Sequence, residues 1–573
     1  MTERTVHPAA RSGNVIVGLV LCLAALVVTL PLLAHGPLPA GSDVYSTSHY
    51  LQGFMKAFAE GDLYPRWTDD TNGGLGAPSF VLFPPLTYYG AGAASWLTGS
   101  IISGFKLYLF VVSLLSAAAF YALARQWVGP GLPAALGSAV YLLLPYRVLD
   151  MYQRFAMSET TAFVFFPLIL LFARRTILTG RRRDAALLSA CYAGLIYTHI
   201  VSALSFSLFF GLWLLWETKG RFRSLLRPAL ALACGLGLAA PALAPAAIEK
   251  SHANIGWVRE MPNGDYRINF IFRDDVLPGL GFKDPVKPPV LKSAHTQLLL
   301  AGLAAGLALA WSSRQQQRRR ADVAVLAAGV GLAYFMQTDP STFIWRVVPE
   351  LASIQFPWRL QTLMVLFTAL VCAFAFSAGW GRAGGAQAAH RGFGGIGGVL
   401  LALTLLANFG LSAQNASLKP FQFDAAASRS PGVVQWTEPA FTPVEFTAYR
   451  RFKQMRIEMP QGAFAEGTGQ VTFSRWLSSR RSLEVDSAEG GVVLVRSFWF
   501  PGWAATLDGG PLAVGASSPY GTLTFAVPPG RHRVELTFGS TPVRRTAAFA
   551  ALLCLVVTAG LMLAPDGRRE AAV

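Results

Sequence analysis

The chain has 573 residues, 53% of them apolar and 14% charged, with a mean hydropathy of +0.42 and a formal net charge of +17. A soluble chain of this size needs more polar surface to cover itself, so the composition excludes an ordinary globular protein and makes lipid the natural solvent. The positive charge would suit nucleic acid in a soluble protein, but here the arginines stand mainly in short loops between apolar runs, which is the positive-inside pattern and excludes that partner.

Residues 1–13 carry Arg4 and Arg11, and the apolar run at 14–34 is too long for a signal-peptide core and precedes no clean cleavage site. It is predicted to remain as the first spanning helix. Further apolar runs at 101–124, 131–149, 160–173, 185–198, 200–216, 228–248, 296–312, 322–337, 360–380, 393–411 and 546–564 bring the expectation to about twelve spans. The stretch 80–97 contains Pro84-Pro85, Tyr88, Tyr89 and Trp96, which suit an interfacial helix. Parity agrees with that reading. Were 80–97 to span, Arg174, Arg175 and Arg181 to Arg183 would face outward, together with Lys219 to Arg227 and Arg318 to Arg320. With an interfacial helix all of them are cytoplasmic, as are Arg382, Arg391 and the tail at Arg568-Arg569, and so are both termini.

The expected fold class is an all-α polytopic transmembrane bundle with a small external β domain near the C-terminus. The helical domain takes residues 1–411, with a first external loop at 36–100. Residues 412–545 alternate apolar and polar positions between turn signals such as Pro501-Gly502 and Asp508-Gly509-Gly510, which predicts a β-rich external domain. Residues 546–573 supply the last span and a tail. The five cysteines (Cys22, Cys191, Cys234, Cys372 and Cys554) all fall inside apolar runs without metal-ligand spacing, so neither a metal site nor a disulfide is expected from them.

Four places on the external side could carry chemistry, and each has a plain structural alternative. Asp43 closely follows the first helix, where a carboxylate reaches both a lipid phosphate and a soluble acceptor; it could equally cap the helix that follows. The short turn from Asp150 to Glu159 carries Arg154 and Glu159, which could bind a phosphate and orient a donor or metal, or could form an ion pair that fixes the turn. His199 stands alone at an external turn, where a satisfied interfacial histidine is the ordinary explanation and a phosphate or metal role the special one. Arg359, in Gln355-Phe356-Pro357-Trp358-Arg359, falls at headgroup depth as a phosphate ligand or as a snorkelling arginine beside an aromatic belt.

Taken together, the stretches GSDVYSTSHYLQGFMKAFAEGDLYPRW, GLGAPSFVLFPPLTYY, DMYQRFAMSET, YTHIVSAL and SIQFPWRLQTL resemble the C-type (GT-C) glycosyltransferase superfamily. They are most similar to the bacterial membrane proteins labelled "6-pyruvoyl-tetrahydropterin synthase-related" and to YfhO-type relatives. SFWFPGWAATLDG and PPGRHRVELTF look like the external β domain of the same group. The resemblance implies a bacterial cytoplasmic-membrane enzyme that moves a sugar from a polyprenyl-phosphate donor to an envelope glycan, lipid or protein acceptor on the periplasmic side. It implies Asp43 as catalytic base or metal ligand, Arg154, Glu159 and Arg359 as donor-phosphate and substrate residues, and His49, Tyr50 and His199 beside them. The second turn lacks a DxD, and a divalent cation, where one is used, would fall to Asp43 and Glu159. The rival expectations are a lipid-linked glycan transporter or flippase, which needs ionisable residues along a path through the helices, and a non-catalytic envelope assembly protein.

Overall fold

The computed structural model describes residues 8–34, 38–39, 41–255, 264–273, 286–312, 316–381, 420–421, 460–518 and 520–564. Among the described residues seven helices are long and apolar enough to cross a membrane: Gly13–Ala34, Ile101–Val128, Met157–Thr179, Ile200–Thr218, Lys287–Trp311, Pro357–Ala378 and Pro542–Leu563. Three bent pairs qualify when each is taken as one span, giving up to 10. They are Leu132–Leu143 with Pro145–Arg154 (43°), Phe222–Leu238 with Ala240–His252 (67°) and Gln317–Phe335 with Asp339–Val347 (93°). The helix Arg182–Thr198 has 17 residues, about 25 Å of rise, and coincides with the run expected at 185–198. The run at 393–411 lies outside the described residues.

The bends follow from the sequence. Leu144 precedes Pro145 and takes extended angles (φ −61°, ψ 141°), because proline crowds a helical residue before it. Pro241 and Pro340 stand just beyond the other two breaks. The stretch expected to be interfacial forms a turn at Ser79–Leu82 and a helix at Leu86–Thr98. At 13 residues that helix rises about 20 Å, short of a hydrocarbon core of about 30 Å.

At the centre of the bundle stands Gln361–Gly381, packed on Lys287–Trp311, Leu132–Leu143 and Gln317–Phe335. Protein buries 94% of its most apolar stretch, against 11% for Pro542–Leu563 among the described residues.

Two antiparallel sheets build the β domain near the C-terminus. One has the order Gly462–Gly467, Gly491–Phe498, Thr522–Val527, Gly515–Ala516; the other runs Gln470–Trp476, Arg480–Ser487, Gly530–Phe538, Trp503–Leu507, Gly510–Leu512. The alternation that predicted strands is visible in Arg480–Ser487, where Leu483, Val485 and Ser487 are buried between exposed Glu484 and Asp486. The core of these sheets is not made by the C-terminal segment alone. Trp67, Leu75 and Val81, from the segment between the first two spanning helices, enter it, with the Trp67 ring 5.3 Å from Trp503 and 5.0 Å from Phe538. Phe498 donates its backbone N–H to Leu75 O at 2.6 Å. Gly76, at φ +77°, lets the chain turn where a Cβ would lie 2.6 Å from the Trp67 ring.

The helix Val44–Ala59 is gripped from the same side: Lys56 Nζ lies 2.6 Å from Asp69, and Glu60 accepts the Ser478 backbone N–H at 2.7 Å. Behind it, Arg544, at the start of the last helix, is buried against Glu249 at 2.8 Å and donates to Pro501 O and Gly539 O.

Candidate functional site

The site begins with the bend at Pro145. The chain continues through Pro145–Leu149 into a π-helical turn at Asp150–Arg154, and Phe155 then takes the left-handed conformation (φ +57°) before the helix at Met157. A π turn followed by a left-handed residue aims Asp150, Arg154 and Glu159 at one another, and π turns are frequent at functional sites. Arg154 Nη1 lies 2.6 Å from Asp150 Oδ1, 2.7 Å from Glu159 Oε2 and 3.1 Å from the Tyr146 hydroxyl. Tyr146 in turn donates to Glu159 Oε1 at 2.8 Å, and Thr160 donates to Asp150 Oδ2 at 3.2 Å. All of these groups are buried. Arg154 is thus the ion-pair partner that fixes the turn, and both Glu159 oxygens are taken.

The segment that follows the first helix is laid onto that turn by its backbone. Ser42 N–H donates to Gln153 O at 3.0 Å and Asp43 N–H to Arg154 O at 2.8 Å. Gly41 makes the approach possible: a Cβ there would stand 2.8 Å from the Arg154 carbonyl carbon and 2.9 Å from Phe155. Asp43 occupies the N-cap position of Val44–Ala59, yet its side chain makes no cap bond and instead accepts Ser42 Oγ–H at 3.0 Å. The carboxylate is half-buried and is not spent on the helix.

A cavity of about 280 Å³ opens where these elements meet. Its wall includes Asp43, Ser46, Thr47, Tyr50, Phe83 and Tyr88 from the segment between the first two spanning helices, Arg154, Ser158 and Glu159 from the turn, and His199, Ile255 and Arg359. Four separate stretches of chain therefore bring Asp43, Tyr50, Arg154, Glu159, His199 and Arg359 together. His49 is the exception; its ring packs edge-on against Tyr45 at 4.5 Å, away from the cavity wall, and burial pulls its imidazole down to about 4.

Arg359 is held differently from Arg154. Its Nη1 donates to Ile354 O at 3.0 Å and its guanidinium lies 4.9 Å from the Phe356 ring, while the nearest carboxylate, Glu159, is 3.9 Å from Nε. Nε itself is buried and has no hydrogen-bond partner among the described residues. His199 shares Nδ1 with Ser202 Oγ at 2.7 Å. Burial lowers its pKa to about 4, against the opposing pull of Glu159 and with Arg359 and Arg154 adding to the fall, so the ring is neutral near pH 7.

Sequence reasoning passed over Asp150, Tyr146 and Tyr88. Asp150 and Arg154 are four residues apart, a spacing that already suggests a pair. Among the described residues no group of three or more His, Cys, Asp or Glu side chains is placed to hold a metal ion. Asp43 could offer a ligand, whereas Glu159 could do so only by releasing Arg154 or Tyr146.

Seven apolar helices and three bent pairs among the described residues, with a two-sheet domain and a polar cavity beside them, define a multi-pass integral membrane protein. Residues 80–417, more than half of the chain, match the family described as "6-pyruvoyl-tetrahydropterin synthase related domain; membrane protein", and the chain belongs to that family. No curated protein matches the chain. Among solved structures it is similar to ArnT from Cupriavidus metallidurans in the apo state, at 14% identity and a TM-score of 0.29, covering 64% of this chain and 78% of that one. It is similar also to the same protein bound to undecaprenyl phosphate, at 14% identity and a TM-score of 0.31, covering 63% and 77%.

Proposed function

We propose that this protein is a membrane glycosyltransferase that moves a sugar from a polyprenyl-phosphate donor to an envelope acceptor outside the cytoplasmic membrane. The observation that carries the reading is the cavity: it sets an uncommitted carboxylate, Asp43, in one wall with two guanidinium groups, a neutral imidazole and the aromatic rings of Tyr50, Phe83 and Tyr88. Rings of this kind suit the C–H faces of a sugar. Asp43 accepts the proton of the acceptor hydroxyl as that oxygen attacks the anomeric carbon. The bond from that carbon to the phosphate oxygen breaks, and the phosphate leaves with the electron pair. Arg359, with its buried Nε open, takes the phosphate charge. Arg154 acts mainly through the geometry of the turn, because its guanidinium is already shared by Asp150 and Glu159. His199, neutral, offers a hydrogen bond without adding charge.

The test uses the full chain in proteoliposomes with a panel of radiolabelled polyprenyl-phosphate sugars and an envelope extract as acceptor. Asp43→Asn should lower transfer by at least about a hundredfold while the protein inserts and melts as the wild type does. Transfer by the variant at the wild-type rate removes Asp43 from the role of base.

A further inference from the structure

A strained residue sits in the loop that delivers Arg359 to the cavity, and a side chain from a distant stretch of sequence holds it there. Gln355 stands at φ +61°, ψ −45°, and Phe356 N–H donates to Ile354 O at 2.6 Å. This is the γ-turn of positive φ, rare and strained for a residue that has a Cβ. The same Ile354 carbonyl accepts Arg359 Nη1 at 3.0 Å. One oxygen therefore closes the turn and aims the guanidinium, whose side chain lines the cavity.

A turn of this kind persists only where its surroundings over-determine it. After the turn, Trp358 and Leu360 are buried, and Gln361 ties the next helix to its neighbours by donating to Val290 O at 3.0 Å and to Gln337 Oε1 at 3.1 Å. Before it, Gln355 N–H donates to Ala352 O at 3.2 Å. A further tether comes from residues 264–273. Asn269, fully buried, donates through Nδ2 to Gln355 O at 3.3 Å and to Asp265 O at 2.9 Å. Two carbonyl acceptors fix which end of the amide faces the turn. The segment that carries Asn269 is itself pinned. Ile271 N–H donates to Gln337 O at 3.0 Å, Lys287 Nζ donates to Ile268 O at 2.8 Å, and Tyr266 stacks on Trp345 at 5.0 Å. Were Gln355 to relax to negative φ, the peptide groups on either side of it would rotate. The Ile354 oxygen would then leave Phe356 N–H, and Arg359 would lose its acceptor.

We propose that Asn269 is a positioning residue for Arg359: by holding the Gln355 carbonyl it keeps the strained turn closed, so that the guanidinium meets the donor's phosphate in one orientation. The phosphate partner rests on the transferase reading; the hold on Arg359 does not. Full-length protein in detergent is treated with phenylglyoxal, and modification of single arginines is followed by peptide mass spectrometry. Binding of a polyprenyl phosphate in mixed micelles is measured beside it, with the matching polyprenol as the neutral control. Asn269→Leu keeps volume and removes the donor. In it Arg359 should react severalfold faster than in wild type, and polyprenyl phosphate should be held about tenfold more weakly. Arg154, tied to Asp150 and Glu159, should react at its wild-type rate, which a general loosening of the fold would not leave unchanged. Asn269→Ala removes the donor without adding bulk, and carries the same expectations where the leucine variant folds poorly. Glycine takes positive φ without strain, so adding Asn269→Leu to Gln355→Gly should change labelling and binding by less than about twofold. Arg359 labelling at the wild-type rate in both single variants, or a rise shared equally by Arg154, overturns the proposal. So does an undiminished effect of Asn269→Leu in the Gln355→Gly background. Wild-type protein that does not prefer polyprenyl phosphate to polyprenol counts against the transferase reading instead, and the labelling still decides the role of Asn269.

Discussion

Replacing Glu159 by Gln tests the polar network at its centre. The substitution keeps shape but removes the charge that faces Arg154 at 2.7 Å and Arg359 at 3.9 Å, and it forces an amide to satisfy the Tyr146 hydroxyl at 2.8 Å. Breaking a buried ion pair from one side costs about 3–5 kcal/mol, because the surviving charge stays buried. Arg154 retains Asp150 at 2.6 Å, so part of that penalty is spared and about 2–3 kcal/mol is expected. The melting temperature of the detergent-solubilised protein should fall by several degrees, on the order of 5 °C. The companion measurement is Arg154→Met alone and combined with Glu159→Gln. If the two groups hold each other, the double variant should be less destabilised than the sum of the singles by about 1–3 kcal/mol. A Glu159→Gln protein that melts within about 0.5 kcal/mol of wild type, with additive singles, would refute the network as the support of the turn.

Three further perturbations follow from other contacts. Gly41→Ala puts a Cβ within 2.9 Å of backbone that cannot step aside, so it should cost about 1–3 kcal/mol and speed hydrogen exchange at Ser42 and Asp43. Asp70, whose Oδ1 is buried without a partner, has its pKa raised to about 7 by burial and by Asp69. A carboxyl with a raised folded pKa binds protons more tightly folded than unfolded, so its contribution to stability falls as pH rises from about 4 to about 7. Asp70→Asn should therefore raise the melting temperature at pH 8, by the equivalent of about 2 kcal/mol, and leave it nearly unchanged at pH 4. Arg147 is fully buried with Nε, Nη1 and Nη2 unbonded and its guanidinium 4.2 Å from the Phe163 ring. Arg147→Met should be neutral or stabilising by about 1–3 kcal/mol in thermal melts, and a loss of that size would show that the charge itself is needed.

Much of the bundle was legible because lipid imposes a coarse rule on sequence: long apolar runs and arginines confined to the loops between them. Bends were harder to see, since a proline near a span's middle reads the same whether the helix merely tilts or folds back. The site was legible in part. In the helix after Asp43 the cavity wall takes Asp43, Ser46, Thr47 and Tyr50, the i, i+3, i+4, i+7 pattern of one helical face. That periodicity excludes His49, which chemical type alone had recommended. The i, i+4 spacing of Asp150 and Arg154 carried a signal that was passed over, whereas Tyr146 meets Glu159 only across the π turn at Asp150–Arg154, which no local spacing marks. Trp67 was invisible as a core residue, since its partners Trp503 and Phe538 lie hundreds of positions away and nothing local marks it.

That displaced tryptophan sets a schedule for biosynthesis. Trp67 and its loop leave the ribosome more than 400 residues before the strands they complete, as the 418-residue separation between Glu60 and Ser478 also shows. At synthesis rates of about 5–20 residues per second, the loop waits roughly 20–80 s with a large apolar ring and no core to enter. The wait also spans the insertion of nearly every helix in between. Among the described residues the β domain is thus finished by an early segment that has been held in place, and the same segment carries Asp43. A truncated C-terminal fragment lacks the piece that closes its core, and a chain stopped before the strands leaves the helix bearing Asp43 without its outer grip.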